Sequence, residues 1–210
     1  MEAHLRAGVA VYNAGEHHAA HDAWEDCWLD LESGTADERF LHGLIQFTAA
    51  IHHGQQENWP GLQGLADSAG EYLADLSSPY RGVDLDVVRA YLADLSADPE
   101  HIERADPPRL EHEGRPIDLA DLADAGDFAA ATIAADALVE EYDVYDEDVI
   151  ETAIDYARQS VEADEGGRFV ALVFDFVSGT ERDLVYRRLR DHVERRRSRE
   201  SDVEGLFDPE

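Results

Sequence analysis

Residues 37–53 read DERFLHGLIQFTAAIHH, and this stretch decides the fold because its apolar residues recur at spacings of three and four. That spacing is typical of an α-helix with a buried face. Apolar side chains cover much of the helix circumference, so we expect this helix to lie at the centre of a bundle. The apolar positions are Phe40, Leu41, Leu44, Ile45, Phe47 and Ile51.

Helical spacing continues on both sides of this central stretch. Before it, Asn13-Ala14-Gly15 predicts the end of one helix and a turn. After it, Asn58-Trp59-Pro60 predicts the start of another, with the asparagine as cap and the proline in the first turn. Further helices are predicted at 3–14, 16–32 and 84–95. These helices form a predicted antiparallel bundle over residues 1–104.

Residues 105–125 differ from the bundle in composition, and we interpret them as a linker. Three prolines between 107 and 116 exclude a continuous helix there. Residues 109–118 are compatible with one small β-hairpin that turns at Glu113-Gly114.

Residues 126–210 return to helical patterning and form a predicted helical extension. Its helices are predicted at 128–142, 147–163, 168–176 and 181–197. The run FVALVF at 169–174 is short enough for a buried strand, but its neighbours are helical and a lone strand has no partner, so we favour a helix. The chain is therefore predicted to be an all-α, multi-helix bundle.

The chain of 210 residues is strongly acidic. It has 48 Asp plus Glu against 17 Lys plus Arg, a formal net charge of −31, and all 17 cations are arginine. An acid excess without lysine predicts adaptation to molar salt, where the Debye length falls to roughly 3 Å and self-repulsion is short-ranged. The charge also argues against broad, sequence-independent binding of nucleic acid, which needs surface cations.

Membrane and secreted classes are not favoured by the sequence. The apolar runs are far shorter than a membrane span, and the initial residues MEAHLRAG lack the pattern of a secretory signal. A single cysteine, Cys27, excludes an internal disulfide framework. We therefore expect a soluble, cytoplasmic protein without a membrane partner.

The segment Arg182–Arg199 is the one basic feature, with eight of the 17 arginines. One interpretation is a docking arm for RNA, DNA or an acidic protein. The other is a helix whose positive charges contact its own dipole or the acidic body of the protein. We favour the second because molar salt weakens attraction to phosphate steeply.

The second predicted helix carries the residues that could perform chemistry. His21, Asp22 and Glu25 lie one turn apart on it, and His17 and His18 are close by. Imidazole and carboxylate groups at this spacing can reach a common first-row metal ion. The third helix offers a matching stripe of His42, Gln46 and His53. The alternative is that these side chains are solvated or hydrogen-bonded without any ligand.

Two strings of residues resemble one family. Residues 12–28 read YNAGEHHAAHDAWEDCW, which resembles the DUF309 pattern of an aromatic, Asn-x-Gly, Glu-Ala-His-Glu, a further Glu and a Trp. Residues 39–46 read RFLHGLIQ, which resembles that family's FLQGLIQ segment, and Asn58 with Gly61 matches its following turn. The resemblance covers roughly residues 8–76. It departs at Ala19, where the family usually has Glu, and at Asp22, which shortens the second Glu.

The resemblance implies an all-helical protein of a family without an established activity, which has been described as a predicted metal-dependent hydrolase. Under that description a divalent ion would be held by His21, Asp22 and His53, with Glu25 as the base. If the carboxylates are ligands, Ala19 has lost one of them.

A competing hypothesis assigns the same motif to architecture. Asn13 and Gly15 would shape the first interhelical turn, and Trp28 would be part of the core. A buried polar network would fix the helix register. Its predicted members are His21, Glu25, Arg39 and Gln46, with Asp22 and His53 beside them.

We favour this second hypothesis, an interaction or scaffold module with an unknown protein partner and no cofactor. The alternative is the metal-dependent hydrolase.

Overall fold

The computed structural model describes residues 1–163, 167–179 and 181–204, with side chains described as far as 201. The other residues of the predicted 126–210 extension, at 164–166, 180 and 205–210, lie outside the described part. The helices are α1 (Glu2–Asn13), α2 (His17–Leu29), α3 (Ala36–Gln55), α4 (Trp59–Leu73), α5 (Leu85–Ala97), α6 (Leu119–Asp124), α7 (Phe128–Glu141), α8 (Glu147–Glu162), α9 (Arg168–Ser178) and α10 (Arg182–Glu204). A short 3₁₀-helix follows α5 at Pro99–Glu103.

Helix α3 is central to the first half of the protein, as its sequence predicts. It begins behind Thr35, whose Oγ1 accepts a hydrogen bond from the Glu38 backbone N–H at 3.2 Å. Its apolar positions are fully or nearly fully buried, and α2 and α4 pack against it on two sides. Helix α1 covers α2, and α5 covers α4. The predicted all-α bundle is therefore confirmed.

The predicted hairpin is present. Strand β1 (Glu111–His112) pairs antiparallel with strand β2 (Arg115–Pro116). The two residues between them, Glu113 and Gly114, have φ values of 54° and 74°, and positive φ at both positions is what a tight two-residue hairpin turn requires. The short helix α6 follows at once, inside the stretch that we predict to be a linker.

The C-terminal extension packs on the first two helices. Helix α7 contacts α1 and α2, and α8 and α9 pack against α7. Arg6 on α1 donates from Nε to Asp127 Oδ2, just before α7, at 2.7 Å. The FVALVF run is helical within α9, as favoured above. Buried apolar residues of both parts form one cluster.

The basic helix α10 binds the body of the protein through several of its arginines. Arg182 donates from Nε to the Phe176 carbonyl at 3.1 Å. The Arg196 guanidinium lies 3.8 Å from the centre of the Tyr156 ring, and Arg197 Nη1 is 2.9 Å from Asp148 Oδ2. These contacts correspond to the second interpretation of this segment.

Among the described residues, each helix is either too short or too polar to cross a lipid bilayer.

Candidate functional site

The histidines of α2 and α3 meet at one cleft. Helices α2 and α3 pack as antiparallel neighbours, because His18 at the start of α2 lies beside His52 at the end of α3, and Trp28 at the end of α2 contacts Glu38 at the start of α3. A cleft of about 220 Å³ opens between them. Its polar lining is His17, His18 and His21 from α2, and Thr48, His52 and His53 from α3. The sequence-based expectation that His21 lies across from the second half of α3 agrees with this arrangement.

Beside the cleft, α2 presents a cluster of three possible metal ligands. These are His21, Asp22 and Glu25. Each offers one ligand atom, and these three atoms all lie within 4.8 Å of one another. His21 Nε2 is 3.8 Å from Glu25 Oε1, and 27% of the His21 side chain is exposed. The position of His21 therefore differs from the buried network that we predict from the sequence, because its helix face borders the cleft instead of the core.

The charge state of this cluster is influenced by both halves of the protein. Burial raises the pKa of the Asp22 carboxyl, and His18 and His21 act in the opposite direction. His18 Nδ1 lies 3.5 Å from Asp22 Oδ2 and 3.1 Å from Glu141 Oε2. Glu141 is the last residue of α7, so the C-terminal extension contributes a carboxylate to the site. The sequence carries no signal for this contact, since Glu141 is 123 residues after His18 and 119 after Asp22.

His53 has a protein partner that the metal hypothesis does not foresee. Asn58, the cap of α4, approaches it with Nδ2 at 2.7 Å from His53 Nδ1. His53 lines the same cleft as His21, but one of its ring nitrogens is already hydrogen-bonded.

A separate polar network lies further along the α2–α3 interface. Trp28 Nε1 donates to Glu38 Oε1 at 3.0 Å, and His42 Nδ1 is 3.4 Å from the same oxygen. Gln46 Nε2 is 3.0 Å from His42 Nε2. The His42 ring also stacks near Tyr72 of α4, with ring centres 4.0 Å apart. Trp28 is partly buried and packs on the core.

Glu38 is the member of this network that sequence analysis missed. Burial works to raise the pKa of its carboxyl, but hydrogen bonds from Trp28, Gly34 and His42 together lower the pKa below its usual value. A signal for it exists in hindsight, because residues 38, 42 and 46 follow one another at four-residue spacing on α3.

Two predicted site residues, Arg39 and Asn13, have other roles in the structure. Arg39 donates to the Tyr72 carbonyl and to Asp75 Oδ2, both at 3.4 Å, on the α4 side of α3. Asn13 binds the hairpin segment instead of shaping the first turn: Nδ2 donates to the carbonyls of Leu110 and Ile117, each at 2.9 Å. Gly15 does serve that turn, with φ at 90°.

Ala19 is fully buried, and this bears on the missing carboxylate. At about 100° per residue, positions 19 and 21 of a helix point about 200° apart. A side chain at position 19 therefore faces the core while His21 faces the cleft. A Glu at this position would therefore point away from His21, although it would lie one turn before Asp22.

Comparison with known proteins gives one family. Residues 5–65 match the family model described as Domain of unknown function (DUF309), and this match contains most of α1, all of α2 and α3, and the start of α4. A search of curated proteins found no match.

Proposed function

We propose, from the premise that residues 5–65 belong to the DUF309 family, that the chain binds a divalent first-row transition metal and acts as a metal-dependent hydrolase. The observation that carries the proposal is the cluster of His21, Asp22 and Glu25, whose ligand atoms lie within 4.8 Å of one another beside an open cleft.

The donor set suits such an ion. One imidazole nitrogen and two carboxylate oxygens are borderline-to-hard donors, which zinc and its first-row neighbours accept. Two atoms that each lie about 2.0–2.2 Å from one ion are at most about 4.4 Å apart. Small rotations of His21, Asp22 and Glu25 would bring their atoms to that spacing, because all three side chains are partly exposed.

When bound, such an ion polarises a carbonyl or phosphoryl group and lowers the pKa of a water molecule. Glu25 is the most exposed of the three side chains, at 44% against 27% for His21 and 23% for Asp22. It lines a second pocket, between α2 and α7, and can either complete the ligand set or accept a proton from water. His18, whose Nδ1 lies 3.1 Å from Glu141 Oε2, is also 3.5 Å from Asp22 Oδ2.

The second candidate function is a non-catalytic interaction or scaffold module. It is supported by the network of Trp28, Glu38, His42 and Gln46, which joins α2 to α3 and reaches α4 through the stacked Tyr72 ring. Such a network fixes helix register without any ligand.

Metal content distinguishes these functions. We would purify the protein in concentrated KCl without a metal-affinity tag, equilibrate it with zinc or manganese, desalt it and measure bound metal by mass spectrometry. We expect one ion per chain, lost in His21→Ala. His101→Ala is the matched control, because His101 Nε2 also lies 3.8 Å from one carboxylate oxygen, that of Asp94, but belongs to no described three-ligand cluster. A wild-type protein without stoichiometric metal would exclude the metal function.

Glu25→Gln separates the two roles of Glu25. If Glu25 is the base, the variant keeps its metal and loses metal-dependent turnover of p-nitrophenyl phosphate or p-nitrophenyl acetate. If Glu25 is a ligand, metal affinity falls with turnover. Stoichiometric metal without turnover of either ester would favour the interaction module.

A further inference from the structure

The cleft beside the metal-ligand cluster has an unusual lining for so acidic a chain. Five histidines and Thr48 provide its polar surface, and among the described residues no carboxylate lines it, although the chain carries 48 acidic residues. The question is which groups these histidines present, because a neutral imidazole has one N–H donor and one lone pair.

The contacts of Asn58 determine which ring nitrogen of His53 carries the proton. Asn58 Oδ1 accepts a hydrogen bond from the Gly61 backbone N–H at 3.2 Å, as the cap of α4. The amide nitrogen is therefore the atom that faces His53 Nδ1, at 2.7 Å. Since Nδ2 can only donate, His53 Nδ1 must accept. The proton of the neutral His53 ring is then on Nε2.

Gly61 makes this pair possible. A Cβ at position 61 would lie 2.7 Å from Asn58 Nδ2 and 2.9 Å from His53 Nδ1. Both distances are shorter than a carbon and a nitrogen tolerate, so a side chain here would displace one partner. Gly61, which matches the family turn, is therefore needed for the contact between Asn58 and His53 that sets the His53 tautomer.

Two further histidines of the cleft also contact a side-chain amide. Gln55 Nε2 is 3.2 Å from His17 Nδ1, and Gln56 Nε2 is 2.7 Å from His52 Nε2. Each of these rings therefore has one nitrogen in contact with a glutamine amide, and its other nitrogen is free of that contact. Burial lowers the pKa of His17; the charge of Glu16 acts to raise this pKa, and that of His52 acts to lower it. Because the net effect is a pKa below the usual value, the His17 ring is neutral near pH 7.

We propose that this cleft binds the oxyanion of the substrate, a phosphate or carboxylate group, and that His53 donates to it through Nε2–H instead of ligating the metal. Neutral N–H donors arranged around one cleft complement a group with several lone pairs. The inference rests on the proposed function, since it assigns the substrate-binding part of the same site.

The tautomer is tested directly by long-range ¹H–¹⁵N NMR of the histidine rings in the full chain, with the His53 signal assigned through His53→Gln. We expect the Nε2–H form in the wild type. Asn58→Asp keeps the helix cap but replaces the donor by an acceptor, and it should convert His53 to a ring protonated at Nδ1. A wild-type His53 protonated at Nδ1 alone would overturn the proposal.

Anion binding is tested by titrating metal-free protein with inorganic phosphate and, separately, with acetate, in the same concentrated KCl. We expect saturable shifts of the cleft histidines with at least one of them, and the tighter anion identifies the source. His53→Ala should weaken binding about tenfold, the loss of one hydrogen bond to a charged group. His53→Gln, which retains an N–H donor, should stay within about threefold of the wild type.

The result that overturns the proposal is equal anion binding by wild type and His53→Ala, or loss of metal in both His53 variants, which would make His53 a ligand. The proposed function fails separately: if His21→Ala leaves metal content unchanged while His53→Ala weakens phosphate binding, the anion site stands without the metal centre.

Discussion

Trp28 donates its indole N–H to the carboxylate of Glu38 at 3.0 Å, and this bond joins the end of α2 to the first turn of α3. The Glu38 side chain is only 13% exposed, so few water molecules can replace the indole. The sequence predicts that Trp28 is a core residue. In the structure it packs partly on the core and also makes a specific polar contact.

Removing this bond without removing the ring should destabilise the protein. We predict that Trp28→Phe lowers the free energy of unfolding by about 1–2 kcal/mol, because a partly buried carboxylate loses a donor. Thermal or denaturant unfolding measures the change. The control is Trp59→Phe, since Trp59 is also partly buried and has no indole hydrogen bond within the described residues. A similar loss in both variants would show that ring size, not the Glu38 bond, is responsible.

Asn13 should be among the residues most sensitive to an isosteric change. Asn13→Asp removes the two donors that satisfy the carbonyls of Leu110 and Ile117. Leaving two nearly buried carbonyls unpaired should cost about 2–4 kcal/mol. Gln63→Glu is the control, because Gln63 donates to a single carbonyl, that of Ser96, at 3.0 Å, and should cost about 1 kcal/mol. Equal costs would contradict the role of Asn13.

Asp136 makes stability depend on pH. Burial between α2 and α7 raises the pKa of its carboxyl to about 7. The nearby charge of Arg158 lowers this pKa, whereas the carboxylates of Glu151, Glu140 and Asp26 raise it. The folded state therefore binds a proton that the unfolded state has already lost. The stabilisation from this proton is complete at low pH and disappears as pH rises through about 7.

Asp136→Asn should remove this dependence. We predict that it stabilises the metal-free protein by about 2 kcal/mol near pH 8, a value reduced for solvent screening, and has little effect near pH 4. Melting temperature against pH measures the difference. Asp67→Asn, an exposed site on α4, removes the same charge and controls for net charge. An advantage of Asp136→Asn that is constant with pH would exclude the titration.

Salt should be needed for full stability. A net charge of −31 repels itself over about 10 Å at 0.1 M salt but only about 3 Å at 1 M. We predict that helicity, measured by circular dichroism, and melting temperature both fall as KCl is removed. An unchanged melting temperature at low salt would refute the hypothesis of adaptation to molar salt.

The sequence predicts features that depend on neighbouring residues. Asn58 caps α4 and Glu113-Gly114 turns the hairpin as expected, because caps and tight turns are determined by a few adjacent side chains. The helical state of α9 also follows, since its neighbours in sequence are helical.

Contacts between distant segments could not be predicted in this way. Asn13 looks like a turn residue in the sequence, and its partners lie 97 and 104 residues away. Helical spacing places His21 on a polar face, but only the packing of α2 against α3 shows whether that face borders a cleft or the core. The partnership of Trp28 with Glu38 depends on the same register.

The packing of α1 has a consequence for the order of events during synthesis. This helix is synthesised before its partners, since Asn13 binds Leu110 and Ile117, and Arg6 binds Asp127. At about 5–20 residues per second, these partners are made on the order of ten seconds later. Until then the nascent bundle exposes the apolar face of α1 that α7 later covers, and transiently exposed apolar surface of this kind favours aggregation.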